Sequence, residues 1–149
     1  MDTPLNRISV SRLTAAEIDE VFWLARLVFT DLAPGQWRRR AKRWTAREQG
    51  AAGALIARDA AGRLVGLAPF EVRTDLQPGR SLWVEKIAAF SLVDARPVVR
   101  ALADGLRDVA RSLGCRGLKV EVETGDRALL AELGRVPDSA RSTLARVTV

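Results

Sequence analysis

Between Ser81 and Glu123 the chain reads strand, helix, strand, and this unit restricts its architecture more than any other stretch. Ser81–Phe90 is an extended, apolar-rich run that follows a turn over Asp75–Gly79. From Pro97 onward, Val98, Leu102, Leu106, Val109 and Leu113 line one helical face, with Gly114 placed as the C′ cap. Pro97 suits a first helical position, where its missing N–H costs nothing. Gly117–Glu123 then alternates, with Leu118, Val120 and Val122 on one side. Upstream, Ala54–Arg58 and Arg63–Arg73 flank the turn residues Asp59-Ala-Ala-Gly62 and read as a β-hairpin. A hairpin entering a strand–helix–strand unit implies a mixed sheet with helices on both faces.

The remaining elements complete that plan. Residues 7–13 alternate like a half-buried strand, and Thr14 with Glu17 forms a T-x-x-E capping box. Ile18, Val21, Phe22, Ala25, Val28, Phe29 and Leu32 then follow helical spacing, and Pro34-Gly35 is expected to end that helix. A second helix is expected from about Gln36 to Glu48. Ala128–Leu133 reads as a short helix closed by Gly134, and Ser142–Val149 as a last strand. The expected order is β-α-α-β-β-β-α-β-α-β, an α/β fold with about six strands. Without a repeat, low-complexity tract or linker, 149 residues are expected to form one domain spanning 1–149.

Composition then limits the chemistry. The chain has no His and no Tyr. Ser-His-Asp and Cys-His catalysis and His-ligated metals are therefore excluded. Cys115 is the single cysteine, so no CxxC or Cys/His cluster offers a zinc site, and no metal is expected. After a helix C-cap and at a strand start, it reads as a buried, inert thiol. Carboxylates, Cys115 and three lysines are the remaining acids and bases, the 21 arginines being too basic to exchange protons. The net charge of +6 favours acidic partners, with nucleic acid or an anionic membrane surface among them. No apolar run approaches the roughly 18 residues of a membrane span. No signal peptide is expected, and the cytoplasm is the expected address.

The most unusual local composition is Gln36-Trp-Arg-Arg-Arg-Ala-Lys-Arg-Trp-Thr-Ala-Arg47. Trp37, Ala41 and Trp44 share one helical face, while Arg39, Arg43 and Arg47 stack on another. One reading is a basic, aromatic patch for phosphates, RNA or lipid. The other, which we favour, makes the tryptophans core anchors and the arginines a solvated face.

The element order, and Ser81–Glu123 in particular, resembles the GNAT N-acetyltransferase superfamily. Trp83-Val-Glu-Lys-Ile-Ala-Ala89 resembles the family's acyl-CoA strand. Leu102-Ala-Asp-Gly-Leu-Arg-Asp-Val-Ala-Arg-Ser-Leu-Gly-Cys115 resembles the helix that follows, and Leu118-Lys-Val-Glu-Val-Glu123 the next strand. The resemblance implies a GNAT-like mixed central sheet and transfer of an acetyl group from acetyl-CoA, as co-substrate, to a small-molecule or protein amine. It further implies that the backbone of Ile87 and Ala89 pairs with the pantetheine arm, and that Arg96, Val98, Val99 and Arg100 face the phosphates. Glu85, on the same strand, is the candidate general base, with a solvent-face ion pair as its plainer reading. Glu121 and Glu123 read either as an acidic wall for a cationic acceptor or as a solvated strand face.

Two departures from the family pattern stand out. Its loop, Gln/Arg-x-x-Gly-x-Gly/Ala, falls on Asp94-Ala-Arg-Pro-Val-Val99. There Asp94 adds a negative charge, Pro97 removes a donor, and Val99 adds a branched side chain where a diphosphate would meet backbone N–H groups. The Tyr that often serves as the acid corresponds to Leu130. The second reading is therefore a non-catalytic module of the same fold that uses the 36–48 helix to bind an acidic partner or to oligomerise. The short tail after Gly134 suggests a homodimer in which the last strand pairs with a partner subunit.

Overall fold

The computed structural model describes residues 7–47, 50–74, 79–91, 94–121 and 144–148. The expected helix over Ala128–Leu133 and the candidate residues Leu130 and Glu123 lie outside the described residues.

The chain opens with β1 (Ser9–Arg12), a 3-10 turn (Ala15–Glu17), α1 (Ile18–Val28) and α2 (Pro34–Thr45). The hairpin follows as β2 (Ala52–Arg58) and β3 (Leu64–Thr74), and then come β4 (Arg80–Val84) and β5 (Ala88–Ala89). The last elements are α3 (Arg96–Ser112), β6 (Gly117–Glu121) and β7 (Leu144–Thr148). The strands form one sheet ordered β1-β2-β3-β4-β6-β7, with β5 beside β3. All pairings are antiparallel except β4 with β6, the parallel pair joined by the α3 crossover. The α/β class and mixed sheet expected from the sequence are what the structure has.

Local chemistry explains most boundaries. Both the Thr14 N–H and its hydroxyl donate to Glu17 Oε1, at 3.0 and 2.7 Å, so the carboxylate fixes the entry to α1. In the hairpin, Asp59 accepts the N–H groups of Ala61 and Arg63, both at 2.9 Å, and Gly62 takes a φ of +79°. Gly114 ends α3 with a φ of +70°.

One expectation needs correction. Pro34 begins α2 instead of ending α1, which stops at Val28. Proline blocks a helix behind it but is well suited to the first turn of the next, and the Gln36 side chain accepts the Ala33 N–H at 3.1 Å. At the end of the sheet, β7 pairs β6 of its own chain from Gly117↔Thr148 to Glu121↔Leu144.

The sheet is covered on both faces. On one, Val98, Leu102, Ala103, Leu106 and Ala110 of α3 pack on Leu55, Phe70, Leu82, Val84, Leu118 and Val120. On the other, Val21, Leu24 and Ala25 of α1 and Trp37 and Ala41 of α2 cover Ala54, Ile56, Leu67 and Ala88. Cys115 is buried, and burial pushes its thiol up despite the nearby Arg80. No helix among the described residues is long and apolar enough to cross a membrane.

Candidate functional site

The expected strand over Ser81–Phe90 is broken in the middle. Phe70 pairs with Val84, and Leu67 with Ala88. Over this interval β3 advances three residues while the opposite chain advances four, so Glu85–Ile87 carries one extra residue, a bulge. The pairing of β4 with β6 stops at Val84↔Val120. Beyond it, β5 pairs with β3 alone among the described residues.

The extra residue also reverses which backbone groups face which neighbour. Before the break, Arg80 C=O accepts from Arg116 N–H at 2.9 Å, on the β6 side. After it, Phe90 N–H donates to Val65 C=O at 2.8 Å, on the β3 side. Alternation then turns the N–H and C=O of Ala89, and of Ile87 by the same period, away from β3, toward the side where no described strand pairs with β5. The side chains of Ile87 and Ala89 are half-buried against the core under α3, and Ala88 is buried on the opposite face. Lys86 is pinned against the end of α1, its Nζ donating to Val28 C=O at 3.2 Å and lying over the Phe29 ring.

Glu85 opens onto a groove of about 590 Å³ between α2 and the strands β2 to β4. Arg40, Arg43 and Trp44 form its helical wall, and Glu71, Arg73 and Trp83 contribute from the sheet. Glu85 meets Arg40 at 3.8 Å. Arg73 pairs with Glu71 and lies 4.6 Å from the centre of the Trp83 ring. Arg43 has no acidic partner among the described residues.

Sequence reasoning missed Arg40 as a site residue, yet the signal was there. Trp37, Arg40, Ala41 and Trp44 stand at i, i+3, i+4 and i+7, so Arg40, though 47% exposed, borders the buried stripe while Arg39 lies farther from it. The tryptophans are core anchors: Trp37 is buried and donates its indole N–H to Ile18 C=O at 2.6 Å, and Trp44 packs edge-on against it.

The first turn of α3 is built differently. Asp94 accepts the Arg96 N–H at 3.0 Å and binds the Arg96 guanidinium through both carboxylate oxygens. Those hydrogen bonds from Arg96, with the nearby charge of Arg100, hold the Asp94 carboxyl below its usual range. Pro97 has no N–H, and Val99 N–H is taken by Ala95 C=O at 3.0 Å. The side chains of Val98 and Val99 point into the core and not to the tip. Among the expected phosphate-facing residues, only Arg96 and Arg100 present charged groups here, and Arg96 already holds Asp94. The parted strand edge therefore suits an extended amide-bearing arm, whereas the helix tip fits a diphosphate poorly.

No protein-family model and no curated protein sequence matches the chain. Solved structures do. An aminoglycoside N-acetyltransferase, AAC(6')-Iy, in complex with CoA superposes with a TM-score of 0.77 at 15% identity, over 89% of this chain and 90% of that one. A glucosamine-6-phosphate N-acetyltransferase from Arabidopsis thaliana gives 0.70 at 13%, over 89% and 94%. A ribosomal-protein-alanine N-acetyltransferase from Brucella melitensis biovar Abortus gives 0.67 at 22%, over 89% and 95%. At these identities the likeness establishes a shared fold.

Proposed function

We propose that this chain, whose fold is that of the GNAT N-acetyltransferases, transfers an acetyl group from acetyl-CoA to an amine seated in the α2 groove. The observation that carries the reading is the break at Glu85–Ile87. One extra residue there ends the pairing with β6 among the described residues, turns the amide groups of Ile87 and Ala89 away from β3, and puts Glu85 in the groove wall. Bound along that edge, acetyl-CoA supplies the activated thioester. This chain's residues supply position and proton management. Ile87 and Ala89 hold the pantetheine amides, and Arg96 and Arg100 are the charged side chains of the first turns of α3 suited to the phosphates. Glu85 Oε2 takes the proton that the amine loses on forming its new bond to the acetyl carbon, and Arg40 orients that carboxylate. The departing thiolate takes its proton from water, since Leu130 fills the position of the family's Tyr. The expected place of action is the cytoplasm.

The binding-only reading built on residues 36–48 loses its stacking platform, because Trp37 and Trp44 are engaged in the core. Calorimetry with acetyl-CoA, followed by thiol release in the presence of an amine library, tests the proposal. Binding with amine-dependent release is expected, and a chain that binds no acetyl-CoA at millimolar concentration overturns it.

A further inference from the structure

The charges of the groove narrow the acceptor. Its lining holds three guanidinium groups, Arg40, Arg43 and Arg73, and two carboxylates, Glu71 and Glu85. Glu71 is bound by Arg73 and Glu85 faces Arg40, which leaves Arg43 as the cation without a counter-ion among the described residues. Arg40 and Arg43 are three residues apart on α2, so they rise from neighbouring turns of one helix face, their Cβ atoms roughly 5–6 Å apart, and Arg43 stands about one helical turn along the groove from the residue that meets Glu85. Trp44 and Trp83 provide apolar walls along the same groove.

A ligand that satisfies this lining is a dipole. We infer that the acceptor is a primary amine that also carries an anionic group, carboxylate or phosphate, about one helical turn away, the amine docking at Glu85 and the anion at Arg43. A purely cationic amine leaves Arg43 unanswered and is repelled by the groove's net positive charge. A guanidinium suits both anions because its planar N–H groups pair with two oxygens at once. This inference rests on the proposed transferase reading for the name "acceptor", but the dipolar site itself does not require transfer.

The test is therefore a binding measurement on the full chain without acetyl-CoA. Calorimetry or ligand-detected NMR compares 5-aminopentanoate, 4-aminobutyl phosphate and uncharged-tail pentylamine. At least tenfold tighter binding of one or both anionic amines is expected, and which of the two is tighter identifies the anion. Arg43→Gln is expected to remove that preference, while Glu85→Gln weakens all three amines together. Thermal melts of each variant establish that it is folded. Arg43→Lys guards against a variant that fails to fold and is expected to keep part of the preference. Pentylamine binding as tightly as the anionic amines, or a preference unchanged in Arg43→Gln, overturns the inference. A preference that depends on Arg43 in a chain with no thiol release overturns the transferase reading alone.

Discussion

The groove beside α2 and the first turn of α3 lie on either side of the same strand break, yet they are built on opposite terms. The groove is roomy, lined with aromatic walls, and leaves one guanidinium, Arg43, without an acidic partner among the described residues. The α3 turn answers itself: Asp94 occupies the Arg96 amide and guanidinium, Pro97 has no donor, and Val98 and Val99 are packed into the core. One region is open to a ligand and the other is largely closed by its own side chains. On the proposed transferase reading, recognition is concentrated on the acceptor side, with donor affinity carried by the strand edge.

The largest expected effect is on the groove side. Glu85→Gln keeps size and hydrogen bonding but cannot take a proton, so amine-dependent thiol release is expected to fall about 100-fold or more, with acetyl-CoA affinity within about twofold of wild type. Steady-state kinetics with calorimetry separates the two. A variant that retains wild-type turnover removes Glu85 from the chemistry and would make the groove no more functional than the helix tip.

Next in size is a substitution that disturbs the tip through the core. A Cβ on Gly66 would lie 2.8 Å from Leu102 Cδ1 and 2.9 Å from Val98 Cγ1. Gly66 is thus what lets the first turns of α3 sit close on β3. Gly66→Val is expected to lower unfolding stability by about 1–3 kcal/mol in urea titrations, the usual cost of overpacking. Binding of amines in the groove, on the opposite face of the sheet, is expected to survive. Equal loss on both sides would show that the two regions are not independent.

The tip itself is tested by restoring what it lacks. Asp94→Gly with Pro97→Gly removes a repelling carboxylate and returns an N–H, and is expected to tighten acetyl-CoA binding about tenfold, the scale of one charge-assisted hydrogen bond. Affinity for pantetheine alone should not change. An unaltered acetyl-CoA affinity would mean that the diphosphate does not approach this turn.

The contrast also marks how far sequence reading reached. The Thr14–Glu17 box, the Asp59–Gly62 hairpin and the α3 stripe were legible because each is encoded by neighbours within four or five residues. The break at Glu85–Ile87 was not, because apolar residues run on through Ile87, Ala88 and Ala89, and only pairing with β3 and β6 reveals the extra residue. Asp94 was read as a bare repelling charge, whereas its partner is two residues along the chain, a side-chain contact that spacing does not specify. Arg40 was hidden within a run of three arginines, at the border of the buried Trp37–Ala41 stripe. Leu24, fully buried, fell between the positions chosen for the α1 face.

The smallest effect provides a reference far from both regions. Arg58 ends β2, six residues from the groove residue Ala52, a span of roughly 20 Å along a strand. Its guanidinium binds Glu17 at 2.9 Å and Glu20 at 2.8 Å, tying β2 to the start of α1. Burial raises the Glu17 carboxyl, but hydrogen bonds from Arg58 and Thr14 outweigh this and hold it below the usual 4.5. The hydrogen bond from Arg58 does the same for Glu20. Carboxylates with folded pKa values below their unfolded ones add stability that is present above the unfolded value and lost as pH falls through the folded one. Arg58→Met is therefore expected to cost about 1 kcal/mol at pH 7, a figure kept small by the exposure of Glu20. The difference from wild type should hold down to about pH 5 and close as the pH drops through and below 4.5. Urea titrations across that range read it directly, and groove and donor affinities at pH 7 should match wild type. A gap that persists unchanged at pH 3 would assign the loss to packing of the Arg58 stem instead of to its charge, and a change in either affinity would show that the clamp reaches the site through β2.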